Sequence, residues 1–153
     1  MKIELLFGTE TGTAEYLCDD IADAIGGVVS ECTIRSLADV DPDALDPDAF
    51  YFFVTSTYGS GDLPTTAQPF GDKLEAQAID LRAIRFAIFG LGDRVFDATF
   101  NQGSEKLMNM LLSRGGVMVG ERGIYDASSS DLPEDIAVPW ANDVLAVLQQ
   151  TAA

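Results

Sequence analysis

The chain has no histidine, only two cysteines, and 9 basic residues against 25 acidic ones in 153. Without histidine there is no imidazole to act as general acid or base, and every metal site that needs an imidazole ligand is excluded. Cys18 and Cys32 form no metal or disulfide spacing and read as reduced thiols of a cytoplasmic protein. A net charge of −16 repels nucleic acid and anionic membranes, which removes both as natural partners. No apolar run approaches the ~20 residues of a membrane span. Met1-Lys2 leads straight into a strand pattern, not into a secretory leader. Basic residues are also missing from one whole stretch: none lies between Ile3 and Ile34.

What is there instead is a regular alternation of strand and helix patterns. An apolar fraction of 47% argues against disorder, and the length suits one domain over residues 1–153. The first strand is expected over Lys2–Phe7 and the first helix over Thr13–Ile25. Ala14, Leu17, Cys18, Ile21, Ala22 and Ile25 fall at helical spacing there, and Gly26-Gly27 closes the helix. A second strand follows near Val28–Ile34, and the Asp/Pro-rich stretch Leu37–Asp48 holds a short helix. Phe50–Thr55 is unbroken and β-prone, the pattern of a strand buried on both faces. A helix near Ala67–Gln77 and a fourth strand at Phe86–Leu91 come next. Ser104 is expected to cap the following helix, and Val117–Val119 to start a fifth strand. The regular part of the last helix is expected to begin at Pro139. Strands that alternate with helices give a parallel sheet covered on both faces, with the ligand beyond the carboxyl ends of the strands.

The loops at those ends are the least ordinary segments. Phe7-Gly8-Thr9-Glu10-Thr11-Gly12-Thr13-Ala14-Glu15 joins the first strand to the first helix. A turn there aims unpaired N–H groups and the positive end of a helix dipole at one point. The hydroxyls of Thr9, Thr11 and Thr13 add donors, and Gly12 lets the backbone come close. The loop is a socket for one phosphate or an ordinary threonine-rich turn. It is neither the lysine-bearing triphosphate loop nor the G-x-G-x-x-G dinucleotide turn. The loops after strands three and four each present glycines and an aromatic, so a flat ring can lie between Tyr58 and Phe96. Such stacking is worth about 1–3 kcal/mol per contact. A phosphate socket beside an aromatic-sided slot describes a mononucleotide.

Three segments in fixed order carry a resemblance that spans essentially the whole chain. They are Gly8–Glu15, Ser56-Thr57-Tyr58-Gly59-Ser60-Gly61-Asp62 and Gly90-Leu91-Gly92-Asp93. The sequence resembles the flavodoxin-like FMN-binding proteins, both the MioC-type single-domain members and the FMN modules of diflavin reductases. The resemblance implies an α/β three-layer sandwich, a five-stranded parallel sheet in the order 2-1-3-4-5, FMN as cofactor and no metal. It implies Thr9, Glu10, Thr11, Gly12, Thr13 and Ala14 around the phosphate. Ser56, Thr57, Tyr58, Gly59, Gly61 and Asp62 would lie on one side of the ring. Leu91, Gly92, Asp93, Phe96, Phe100 and Asn101 would lie on the other. The family often has tyrosine where Phe96 stands, so a hydroxyl is missing here. The stretch from Phe96 to Asn101 is also one residue longer than in the diflavin modules. Gly59 matches the family's flipping peptide, whose carbonyl turns toward the ring on reduction. Asp62 and Asp93 place negative charge near a ring that gains it.

The expected function is therefore electron transfer, with no catalytic side chain of its own. Electrons would arrive from an NAD(P)H-dependent flavoprotein reductase and leave to a basic-faced redox protein. Glu15, Asp19, Asp20, Asp23, Asp62 and Asp97 would be the docking charges of a monomer. One alternative is a flavodoxin-fold quinone or azo reductase that takes hydride directly from NAD(P)H, although the loops offer it only Arg94 as a cation. Another is an FMN module excised from a diflavin reductase. A module that kept the fold and lost its flavin is at odds with the intact threonine-rich loop and the paired aromatics.

Overall fold

A strand as apolar as Ala-Phe-Tyr-Phe-Phe-Val must be covered on both faces. In the computed structural model, which describes residues 1–58, 61–94 and 101–152, it is β3 (Ala49–Ser56), at the centre of a parallel sheet. β1 (Lys2–Gly8) lies on one side of it and β4 (Arg85–Gly92) on the other, with β2 (Glu31–Ser36) outside β1. Side-chain alternation divides these strands between two cores. Ile3, Leu5, Phe50, Phe52, Val54, Ala87 and Phe89 pack with α1 (Thr13–Ile25) and α4 (Pro133–Ala152). Leu6, Tyr51, Phe53, Phe86 and Ile88 pack with α2 (Gln68–Ala76) and α3 (Gln102–Ser113). Each buried phenylalanine contributes roughly 1.5–3 kcal/mol. The central strands are therefore fixed from both sides, and their carboxyl ends form one rigid edge.

The strand order β2-β1-β3-β4-β5 is the expected one, but the fifth position is divided. β5 (Val117–Met118) pairs only with Arg85 and Phe86, whereas β6 (Gly123–Asp126) pairs parallel with Phe89–Gly92. β3 holds the other edge of β4, so the two short strands share one edge. Between them the chain makes an excursion over residues 119–122, where Gly120 has φ 74°. It returns tightly: a Cβ on Gly123 would lie 2.9 Å from the Trp140 indole nitrogen.

Other sequence expectations are corrected at the element ends. α3 begins at Gln102, with Asn101 as its N-cap in the left-handed region at φ 54°. Ser104 is not the cap; it is buried, and its hydroxyl donates to the Asn101 carbonyl at 3.1 Å. α4 begins at Pro133, with Glu134 and Asp135 in the first turn, where they complement the helix dipole. Pro139 lies inside that helix, on its exposed side. The carbonyl of exposed Asp135, which would have accepted its N–H, can turn to water, while buried Ala137, Ala141 and Val144 hold the opposite side. β2 starts only at Glu31, because Val28 still belongs to the turn that ends α1, its N–H donating to the Ile25 carbonyl at 3.0 Å. The expected short helix is two 3-10 turns, Leu37–Asp39 and Pro42–Ala44, capped by the side chains of Ser36 and Asp41. Cys18 and Cys32 are free thiols, and among the described residues no helix is long and apolar enough to cross a membrane.

Candidate functional site

β1, β3 and β4 end at the same edge, and the loops that leave them carry the expected site residues. From β1 the chain turns into α1 at Gly12, whose φ of 95° suits glycine. The Gly12 N–H donates to Thr9 Oγ1 at 2.8 Å, and its carbonyl accepts from the Tyr16 N–H at 3.1 Å. Thr11 and Thr13 bring their hydroxyls to 3.5 Å of each other on the exposed rim. The N–H groups of Thr11, Thr13, Ala14 and Glu15 donate to no protein atom among the described residues, as a first helical turn requires. With no cation in the loop, an anion here would be held by amide dipoles and hydroxyls alone.

A distant segment braces this turn. Thr66 Oγ1 accepts from the Thr9 N–H at 2.9 Å and donates to the Thr9 carbonyl at 3.1 Å. The Thr65 N–H donates to the Glu10 carboxylate; the Thr65 hydroxyl, and then that amide, hold Glu10 below the usual carboxylate range. Glu10 thus ties the turn to residues 64–67. Gly8 permits the approach, since a Cβ there would lie 2.7 Å from that of Ala67. Sequence reasoning missed Thr65 and Thr66. Their only signal was position, on a loop leaving the same sheet edge.

From β3, Ser56 and Thr57 emerge half-buried, and Tyr58 and Asp62 close the loop with two main-chain bonds of 2.8 Å. This leaves the Tyr58 ring exposed and puts buried Gly61 at φ 95°. Asp62 pairs with Lys106 of α3 at 3.1 Å, which offsets part of its charge. Thr57 Oγ1 accepts from the Gly103 N–H at 3.1 Å, and a Cβ on Gly103 would fall 2.7 Å from the Ser56 carbonyl oxygen. Gly103, absent from the sequence candidates, therefore seats α3 directly on this loop. From β4, Leu91 is buried and Gly92 and Asp93 are half-buried. Asn101 is 1% exposed and lies against Gly92, where a Cβ would come within 2.9 Å of the Asn101 amide nitrogen. Gly59, Phe96 and Phe100 lie outside the described residues, as does Asp97.

Beside the threonine-rich turn, α1 exposes Glu15, Asp19, Asp20 and Asp23, and none is within 4.0 Å of a cation among the described residues. Burial, aided by Glu134, Asp23 and Asp19, holds the Asp20 carboxyl above its ordinary value. A groove of about 680 Å³ runs between α2 and α3, but it meets the three loops only around Asp62 and Leu63. The donor set suits one phosphate, and an exposed aromatic stands at the same sheet edge, which together fit a mononucleotide with a flat ring.

A family model described as Flavodoxin matches residues 5–140. Protein MioC of Escherichia coli O157:H7 is 31% identical over 149 residues, covering 96% of this chain and 98% of that protein. NADPH-dependent diflavin oxidoreductase 1 of Emericella nidulans is 32% identical over 143 residues, 89% of this chain but 21% of that one. Among solved structures, a variant of flavodoxin from Pseudomonas aeruginosa has a TM-score of 0.82 at 27% identity, covering 97% of this chain and 99% of that chain. Sheet order, the threonine-rich turn and the match along nearly the whole length agree: the chain belongs to the flavodoxin family, and its cofactor is FMN.

Proposed function

We propose that the chain is a single-electron carrier, a cytoplasmic monomer that takes electrons from an NAD(P)H-dependent flavoprotein reductase and passes them to a basic-faced redox protein. The observation that carries this reading is the α1 face. Four exposed carboxylates, none within 4.0 Å of a cation among the described residues, stand next to the phosphate turn, together with Tyr16, 73% exposed. Such crowding costs stability and serves long-range attraction to a positive surface. FMN supplies the one-electron chemistry when bound. The amides of Thr11, Thr13 and Ala14, with the hydroxyls of Thr11 and Thr13, are assigned to its phosphate. The segments 56–62 and 91–101 are assigned to its ring.

A reductase as donor is supported by the likeness to NADPH-dependent diflavin oxidoreductase 1, of which this chain matches 21%. Direct hydride transfer from NAD(P)H is the rival activity. It is disfavoured because Arg94, the one cation in the three loop sequences, is engaged with Asp126 at 3.3 Å. The test is the visible spectrum of the FMN-loaded protein under anaerobic NADPH. The flavin bands should persist with NADPH alone and bleach once a flavoprotein reductase is added in catalytic amount. Onward transfer to a cationic acceptor should slow steeply with salt. Bleaching by NADPH alone would make the chain a reductase, and a salt-independent rate would remove the docking role of α1.

A further inference from the structure

Arg94, two residues beyond the end of β4, and Asn101, the N-cap of α3, are the stems of a loop whose sequence contains Phe96 and Phe100. Both stems are held by β6 and its flanks. At the departing stem, Asp126 Oδ1 accepts from the Arg94 N–H at 3.0 Å, and Asp126 Oδ2 lies 3.3 Å from Arg94 Nε. The Ala127 N–H donates to the Gly92 carbonyl at 2.7 Å. At the returning stem, Arg122 Nη1 donates to the Asn101 carbonyl at 3.0 Å and to Ser104 Oγ at 2.9 Å. That carbonyl also accepts from Ser104 Oγ at 3.1 Å and from the Glu105 N–H at 3.2 Å. Asn101 Nδ2 donates to the Tyr125 carbonyl at 3.3 Å. Three donors on one carbonyl leave the peptide after Asn101 a single orientation, at a residue already in the left-handed region.

We infer that Arg122 and Asp126 are positioning residues for the flavin ring: Arg122 fixes Asn101, and Asp126 fixes Arg94 beside Gly92 and Asp93, so that the ring-side residues at both stems are held from β6. The inference rests on the assignment of Gly92, Asp93 and Asn101 to the ring made above. The break in the fifth strand gains a purpose from it. Arg122 ends the excursion over residues 119–122, and β6 then places Asp126 beside the other stem four residues later. Hydrogen bonds from a charged donor are the strong ones, and their geometry passes directly to the carbonyl they hold.

The test is Arg122→Met in the full chain, read by flavin fluorescence quenching against both FMN and riboflavin, and by the visible spectrum and circular dichroism of bound flavin. Because the ring is the part affected, both dissociation constants should rise by the same factor, about tenfold, equivalent to ~1.4 kcal/mol. The visible dichroism should change with them. Asp126→Asn acts on the other stem and should move the same readouts in the same direction, which keeps the test open if Arg122→Met does not fold. Arg122→Lys, which restores one charged donor, should recover part of the loss. Arg82→Gln, on an exposed pair with Asp80 near the opposite end of β4, is the control. Affinities within twofold of wild type with an unaltered flavin spectrum would overturn the inference, even if thermal stability fell. So would a loss for FMN with none for riboflavin. A wild-type chain that binds neither flavin would overturn the ring assignment itself.

Discussion

Replacing Thr66 with valine keeps the shape of the side chain and removes only its hydroxyl. Two hydrogen bonds disappear, one accepted from the Thr9 N–H and one donated to the Thr9 carbonyl. Each nets about 0.5–1.5 kcal/mol, so the total is about 1–3 kcal/mol. Part of this is lost from the unloaded protein and shows as a lower melting temperature. The remainder belongs to binding, because Thr9 begins the turn and its hydroxyl accepts from the Gly12 N–H at 2.8 Å. If half falls on binding, about 0.5–1.5 kcal/mol, the FMN dissociation constant rises about two- to twelvefold. The assay is parallel titration of the unloaded protein with FMN and with riboflavin, which lacks the phosphate. FMN affinity should fall while riboflavin affinity stays within twofold. Equal losses for both ligands, or none for either, would refute the claim that Thr66 organises a phosphate turn.

Gly12→Ala should cost about 1–2 kcal/mol through the left-handed backbone alone, since Tyr16 Cε2, the nearest atom to a Cβ there, is an unstrained 3.8 Å away; unchanged melting would contradict it. Converting Asp19 and Asp23 to lysine should flatten the salt dependence of transfer to a cationic acceptor in stopped flow, with FMN affinity as the unaltered control. The charge at Asp126 also carries a pH signature. Burial opposes its ionisation, but the Arg94 N–H, the hydroxyl and amide of Ser128 and the Arg94 charge together hold the carboxyl below its ordinary value. Its stabilisation is thus complete above the unfolded value of ~3.9 and is lost as pH falls through the lower folded one. Asp126→Asn should therefore melt below wild type at neutral pH, with the two curves converging in acid, and a constant gap down to the lowest pH would sink this account.

How much of this was legible in the sequence depends on the range of the interaction that decides each feature. The buried strands were plain, because Phe50, Phe52 and Val54 on one face and Tyr51 and Phe53 on the other give an unbroken apolar run that only double coverage explains. α1 was legible to the residue, since its buried stripe and the glycines on either side are local. Pro139 misled for the opposite reason. A local rule places proline in a first turn, yet its exposed position lets the helix run through it. β6 was invisible, because Gly-Ile-Tyr-Asp has no run or alternation long enough to read, and it becomes a strand only by pairing with Phe89–Gly92.

The same division runs through the site. Residues that would touch the flavin announce themselves by type, with threonines and glycine at a strand end and an aromatic at the next. The residues that hold those loops do not. Thr66 acts on Thr9 from 57 positions away, Arg122 on Asn101 from 21, and Asp126 on Arg94 from 32. Each does so with a side chain on a main-chain group, an interaction that any polar residue of suitable reach can make. No spacing rule marks such a residue, because its partner is a backbone atom that every position possesses. A sequence therefore displays the chemistry a site performs more readily than the scaffold that keeps it in place. Substitutions at Thr66, Arg122 and Asp126 are the ones to expect when flavin affinity changes in this chain while every motif residue stays intact.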